Sequence, residues 1–186
     1  MMDAERFATG LTFADFVASA QKYQELWTIG AHRASVPADV VDRFSSISTP
    51  IRFVALHADW CLDAIGVVPY LAKLAELNPL IELRNFVRDE NLDLMNSHLT
   101  NDTQSIPVIM AFNPDWTERG WWGPLPSELW QWYMATGRNI PKPEKYHYKR
   151  QWFARDRGAT SMREIADMVF GTTASANPAE PAAATS

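Results

Sequence analysis

The chain has one cysteine, Cys61, in 186 residues. No disulfide can form within it, and no zinc site of the two- to four-cysteine kind can be assembled. A secreted scaffold held by disulfides is thereby excluded, and a reducing compartment is the simpler home. Long apolar runs are missing as well: no window approaches the roughly 18 apolar residues of a membrane-spanning helix. An excess of basic charge is also missing. Lysine and arginine number 17 against 22 aspartate and glutamate, a net charge of −5. That balance does not suit a general nucleic-acid binder. The N-terminus, Met1-Met2-Asp3-Ala4-Glu5-Arg6, is acidic and has no apolar segment behind it. A secretory signal is therefore not expected, and a cytoplasmic location is. What the chain does have is core material. It is 47% hydrophobic and 21% charged, which excludes global disorder and fits one elaborated domain.

Residues 11–34 read as one helix. Thr12 and Asp15 make a capping-box-like start, and Phe13, Phe16, Val17, Ala20, Tyr23 and Trp27 recur at spacings of three or four. Pro37 opens a short second helix through Phe44. Ile51 to His57 is an apolar run of strand length. Cys61 to Leu77 reads as a helix interrupted by Pro69, residues 80–87 as a second strand, and Glu90 to Leu99 as a helix. Pro107 to Phe112 and Glu118 to Trp122 give two more strands around the turn signal Asn113-Pro114-Asp115. Ser127 to Thr136 is a helix with Gly137 as its C-cap, and Ser161 to Phe170 a final helix.

The order β-α-β-α-β-β-α predicts an α/β fold: a mixed sheet of about four to five strands with helices on both faces. Residues 1–49 form a helical extension packed on a core of 50–137. Residues 138–171 form a basic, aromatic extension, and 172–186, poor in large apolar residues, a disordered tail. No internal repeat is visible.

Cys61 stands at a strand-to-helix junction, in Ala58-Asp59-Trp60-Cys61-Leu62-Asp63-Ala64. Helix N–H groups there favour the thiolate, whereas Asp59 and Asp63 oppose it by repulsion. The bland alternative is a small buried hydrophobe.

The segment resembles the thioredoxin family in several separated features. Trp60-Cys61 follows an apolar strand at the place of the family's Trp-Cys-Gly-Pro-Cys motif. Pro69, eight residues on, matches the proline that kinks the active-site helix. Ser105-Ile106-Pro107-Val108 resembles the motif whose cis-proline faces the cysteine. Phe112 closes that strand, and Gly123 matches the glycine before the last helix. The flanks, Trp122-Gly123-Pro124-Leu125-Pro126 and Trp152 to Gly158, are similar to a bacterial thioredoxin-like family of poorly defined function. Its motif is often Trp-Cys-Gly-Asp-Cys, which Asp63 fits.

The resemblance implies a thioredoxin-like fold with Cys61 as nucleophile, Trp60 as an apolar wall, and Ile106 and Pro107 binding substrate. Ile106 would offer its backbone N–H and C=O to an extended peptide. Two departures bear on the activity. Ala64 stands where the resolving cysteine belongs, and Ala55 where the family has a buried acid that serves that second thiol. Release of substrate by a thiol of the same chain is therefore impossible. One-thiol chemistry remains: Cys61 attacks a mixed disulfide, and an external thiol such as glutathione resolves it. Oxidation to a sulfenic acid is a related route. Partners would be a disulfide-bearing protein or a small thiol, with no bound cofactor. The competing reading is a non-catalytic module that keeps the groove for binding. A peroxidatic cysteine ranks last, because no Thr-x-x-Cys arrangement is present.

His57, Asp59, Cys61 and Asp63 alternate and are all metal-ligand types. A helix starting near Cys61 would stop them converging, so no metal is expected and His57 is expected to pack at the strand end. Residues 138–157 carry seven basic residues and two acidic ones, so the segment is +5 and the remainder −10. Docking on the acidic core, or contact with a second copy, is preferred over nucleic acid for this arm. Trp121 and Trp122 must face opposite sides of a strand, and Trp130 and Trp132 different faces of a helix.

Overall fold

The structure is a computed structural model, and it describes residues 1–171. The tail expected over 172–186 lies outside the described residues. Four strands form one mixed sheet: β1 (Ile51–His57), β2 (Ile81–Val87), β3 (Val108–Phe112) and β4 (Glu118–Trp122), in the order β2-β1-β3-β4. β1 runs parallel to β2 and antiparallel to β3, and β3 pairs antiparallel with β4. Burial follows from that order. The inner strand β3 is buried at every residue and β1 at all but Arg52, whereas the edge strand β2 keeps half-buried positions and β4 exposed ones. An inner strand covered on both faces reads as a continuous apolar run, and Phe53-Val54-Ala55-Leu56 and Val108-Ile109-Met110-Ala111 do so.

Ten helices accompany the sheet among the described residues. Those before it are α1 (Ala4–Thr9), α2 (Phe13–Ser19), α3 (Gln24–Arg33) and α4 (Ala38–Ser45). Within the core lie α5 (Leu62–Ile65), α6 (Val68–Leu77), α7 (Leu92–Asn96) and α8 (Ser127–Ala135). The last two are α9 (Lys142–Asp156) and α10 (Ala159–Phe170).

The single helix expected over 11–34 is two. Thr12 does cap the first, accepting from the Asp15 N–H at 3.1 Å. The break between the two comes from outside the segment. The Asp59 carboxylate accepts the backbone N–H groups of Gln21 and Lys22 at 2.7 and 2.8 Å. Tyr23 then takes a left-handed conformation, φ 54°, before α3 starts. The apolar stripe survives the break, because Phe16 and Trp27 still meet, edge to face, at 5.1 Å.

Other boundaries also moved. Cys61 to Leu77 divides into α5 and α6 at Gly66-Val67, with Pro69 inside the first turn of α6. Glu90 to Leu99 shrinks to α7 behind a 3-10 turn. Thr136, not Gly137, caps α8, and Gly137 begins another 3-10 turn. Two helices, α1 and α9, were not anticipated. α1 is a single capped turn and a half, with Asp3 accepting from Arg6 N–H at 2.9 Å. α9 lies in the segment read as a basic, aromatic extension.

The flanking segments close the sheet's edges. Leu11 exchanges two backbone hydrogen bonds with Asn85 of β2, at 2.8 and 2.9 Å, which covers part of an otherwise open edge. α10 lies along β4. Its Glu164 accepts from Trp122 Nε1 at 2.8 Å and from Ser127 N–H at 2.9 Å, and so caps α8 from another element. Of the paired tryptophans, Trp122 is fully buried, and Trp121 meets His98 edge to face at 5.6 Å. Trp132 stacks on Tyr148 at 3.9 Å, while Trp130 meets Tyr133.

Candidate functional site

The end of β1 delivers Cys61 to the first turn of α5, where it occupies the N-cap position. β3 begins opposite it. The Ile106–Pro107 peptide is cis, and the Cys61 thiol donates to the Ile106 carbonyl oxygen at 3.6 Å. Gly123 backs this corner. A Cβ there would lie 2.1 Å from the Pro107 carbonyl oxygen, and φ is 140°, so only glycine fits. Cys61, Ile106 and Pro107 are thus brought together.

The state of the sulfur differs from that of an activated nucleophile. Cys61 is 7% exposed. Burial, and then the Asp63 charge, push its thiol up to about 12. The N–H groups of Ala64 and Asp63 and the Lys149 ammonium act in the opposite sense and lose. The helix contribution that would favour a thiolate comes here from a helix of four residues. The thiol is protonated at neutral pH and uses the Ile106 carbonyl, the group expected to hold a substrate backbone.

Asp63 is held from the basic, aromatic extension that follows the core. The Lys149 ammonium, on α9, forms an ion pair with its carboxylate, and the Lys149 side chain is 9% exposed. Burial raises the Asp63 pKa, and Lys149 lowers it in opposition. α9 is seated by two further contacts. The Phe153 ring lies over Gly66, where a Cβ would come within 2.4 Å of it. Trp152, 3% exposed, packs into a small second core with Leu125 and Leu129. The missed signal was helical spacing: Trp152 and Phe153 follow Lys149 by three and four residues, which marks one docking face.

The remaining predicted residues separate. His57 is fully buried and packs on Phe16 and Trp27 at 4.3 and 5.3 Å between ring centroids. Asn85 Nδ2 donates to Leu11 O, so its Oδ1 is an acceptor, and His57 Nε2–H donates to it at 3.0 Å. That leaves Nδ1 as an unprotonated, unpartnered nitrogen. Burial lowers the His57 pKa to about 4, so the ring is neutral. Asp59 is consumed in tying down the loop before α3, and its carbonyl accepts from Trp27 Nε1 at 2.9 Å. Trp60 is 45% exposed with the Arg88 guanidinium 5.0 Å over its ring. Ala64, fully buried, leaves no room for polar chemistry at the resolving position. Among the described residues, no group of three or more His, Cys, Asp or Glu side chains could hold a metal ion. No described helix is long and apolar enough to cross a membrane.

Comparisons with known proteins agree with this geometry. A family model described as thioredoxin matches residues 10–142. Two solved structures are similar in fold. One, titled an HIV epitope-scaffold, has 18% identity and a TM-score of 0.71, covering 93% of this chain and 100% of its own. The other, a protein of unknown function from Pseudomonas aeruginosa, has 18% identity and a TM-score of 0.70, covering 92% and 100%. At that identity they speak to the fold alone. No curated protein matches. With the strand–cysteine–helix junction, the cis-proline corner and a family match over most of its length, the chain belongs to the thioredoxin family.

Proposed function

We propose that this protein is a non-catalytic binding module built on the thioredoxin fold, with Cys61 as part of its packing. The observation that carries this reading is the state of Cys61: a buried, protonated thiol hydrogen-bonded to Ile106 O. A nucleophilic cysteine needs the opposite, an exposed sulfur with a depressed pKa. The absence of a second cysteine from the sequence agrees with it, as does the Ala64 packing. A reducing compartment, the cytoplasm, suits a chain with one free thiol.

The second reading is the one-thiol oxidoreductase. Its support is position: the sulfur lies beside the cis-proline corner, where the family's chemistry takes place. In that reading the Cys61 thiolate displaces one sulfur of a mixed disulfide, and glutathione or another external thiol then releases the enzyme. The pH dependence of Cys61 alkylation in the folded protein separates the two. Reaction that keeps accelerating through about pH 10 supports the binding module, since an unperturbed thiol levels off near its ordinary pKa of 9.0. An inflection below pH 8, or turnover of a glutathione mixed disulfide lost in Cys61→Ser, would overturn it.

A further inference from the structure

A cleft of about 630 Å³ opens between α3 and α9, floored by α5 and the start of α6. Its lining includes none of Trp60, Cys61, Ile106 and Pro107. The volume falls within the roughly 300–1,000 Å³ of small-ligand sites. Its walls are apolar. Leu26 and Ile29, one helical turn apart on α3, are 43% and 37% exposed there, facing Phe153 across the cleft. Large apolar side chains left open to water in a concave site are a reservoir of binding free energy.

Its charge is of one sign. Arg33, Arg150 and Arg157 all line it, and no aspartate or glutamate does. All three are exposed, and among the described residues none of them hydrogen-bonds or ion-pairs through its guanidinium. The carboxylate next in sequence, Asp156, is occupied by Thr160, accepting from its hydroxyl at 2.5 Å and its N–H at 3.2 Å. These are three free cations in a chain that is −5 overall. Several arginines elsewhere are paired, Arg6 with Asp93, Arg52 with Glu82 and Arg163 with Asp39, and the cleft gathers three unpaired ones on one rim.

We propose that this cleft binds a small amphipathic carboxylate, its apolar body against Leu26, Ile29 and Phe153 and its head group on the arginine rim. The proposal deepens the binding-module reading by naming a ligand class and a place for it. Guanidinium groups match carboxylates in a bidentate fork. Size and field select a small molecule over an acidic protein or nucleic acid. The cleft is enclosed by two helices, and the −10 carried outside residues 138–157 repels a bulky polyanion.

The test uses the full chain and decanoate as probe, with 1-decanol and decylammonium as neutral and cationic controls, read by calorimetry below their micellar concentrations. Decanoate is expected to bind at least tenfold more tightly than either control. The triple variant Arg33→Gln, Arg150→Gln, Arg157→Asn is expected to weaken it at least tenfold, with an unchanged thermal melt. Asparagine suits the left-handed backbone at 157, φ 53°. Ala154→Trp, which fills the cleft from an exposed position, is expected to abolish binding. Equal binding of all three probes, undiminished binding by the triple variant, or no decanoate binding at millimolar concentration would overturn the proposal. Cys61→Ala should bind decanoate as the wild type does. A reactive Cys61 with normal cleft binding therefore removes the non-catalytic reading alone, and an inert Cys61 with no cleft binding removes the ligand alone.

Discussion

Cys61 lies between two polar pairs of different kinds, one buried and one partly buried. On the strand side His57 and Asn85 form a neutral pair, the imidazole held uncharged by burial. On the helix side Asp63 and Lys149 form an ionic pair that ties the junction to α9. A neutral pair tolerates burial at the cost of a proton it cannot accept. An ionic pair tolerates it only while both partners are present, since a lone buried charge has nothing to replace its water. The contrast continues along α9 itself. Lys149 is buried and paired, and its neighbour Arg150 is exposed and unpaired.

The largest effect should come from breaking the ionic pair. Lys149→Met leaves Asp63 uncompensated and should lower stability by about 3 kcal/mol in urea unfolding, the low end for buried pairs because the Asp63 side chain remains 21% exposed. Adding Asp63→Asn should restore most of that loss. A loss under 1 kcal/mol in the single variant would mean that water screens the pair, and the contrast with Arg150 would fail.

The neutral pair should reveal itself in acid. The folded His57 pKa is about 4 and its ordinary value 6.5. Between them the unfolded chain binds a proton that the folded protein excludes. Stability should therefore fall as pH drops from 6.5 to about 4, by up to about 3 kcal/mol. The part of this slope due to His57 should vanish in His57→Gln, whose amide can still donate to Asn85. Urea midpoints at pH 7 and 4.5 for both proteins decide it, and a slope of equal size in the variant would assign the effect to other groups.

Between the pairs, the thiol should act in alkali. Its ordinary pKa is 9.0 and its folded value about 12, so the unfolded chain releases a proton first. Stability should decline above pH 9, by about 1 kcal/mol at pH 10, and Cys61→Ala should lack that component. The smallest effect belongs to Arg150→Gln. It should change stability by less than about 0.5 kcal/mol, as expected of an exposed side chain with no partner, in contrast to its neighbour Lys149.

Much of the core was legible. β1 and β4 begin and end at the residues expected of them, Ile51–His57 and Glu118–Trp122. Cys61 and Ile106-Pro107 were picked out as one corner from motif resemblance, and the structure brings them within 3.6 Å. The break at residues 20–23 was not legible, because the carboxylate that causes it, Asp59, lies 38 positions from Gln21. A still longer separation concealed Lys149, 86 positions from Asp63.

The amino-acid sequence by itself determined the order of the four strands, the single thiol and the impossibility of a two-thiol cycle. Each follows from local periodicity or from counting. Only the tertiary structure decided the state of that thiol. Its pKa depends on how much water reaches Sγ and on the placement of Asp63 and Lys149 around it. Those are properties of packed space, set when α9 docks its Phe153 on Gly66 and closes the junction.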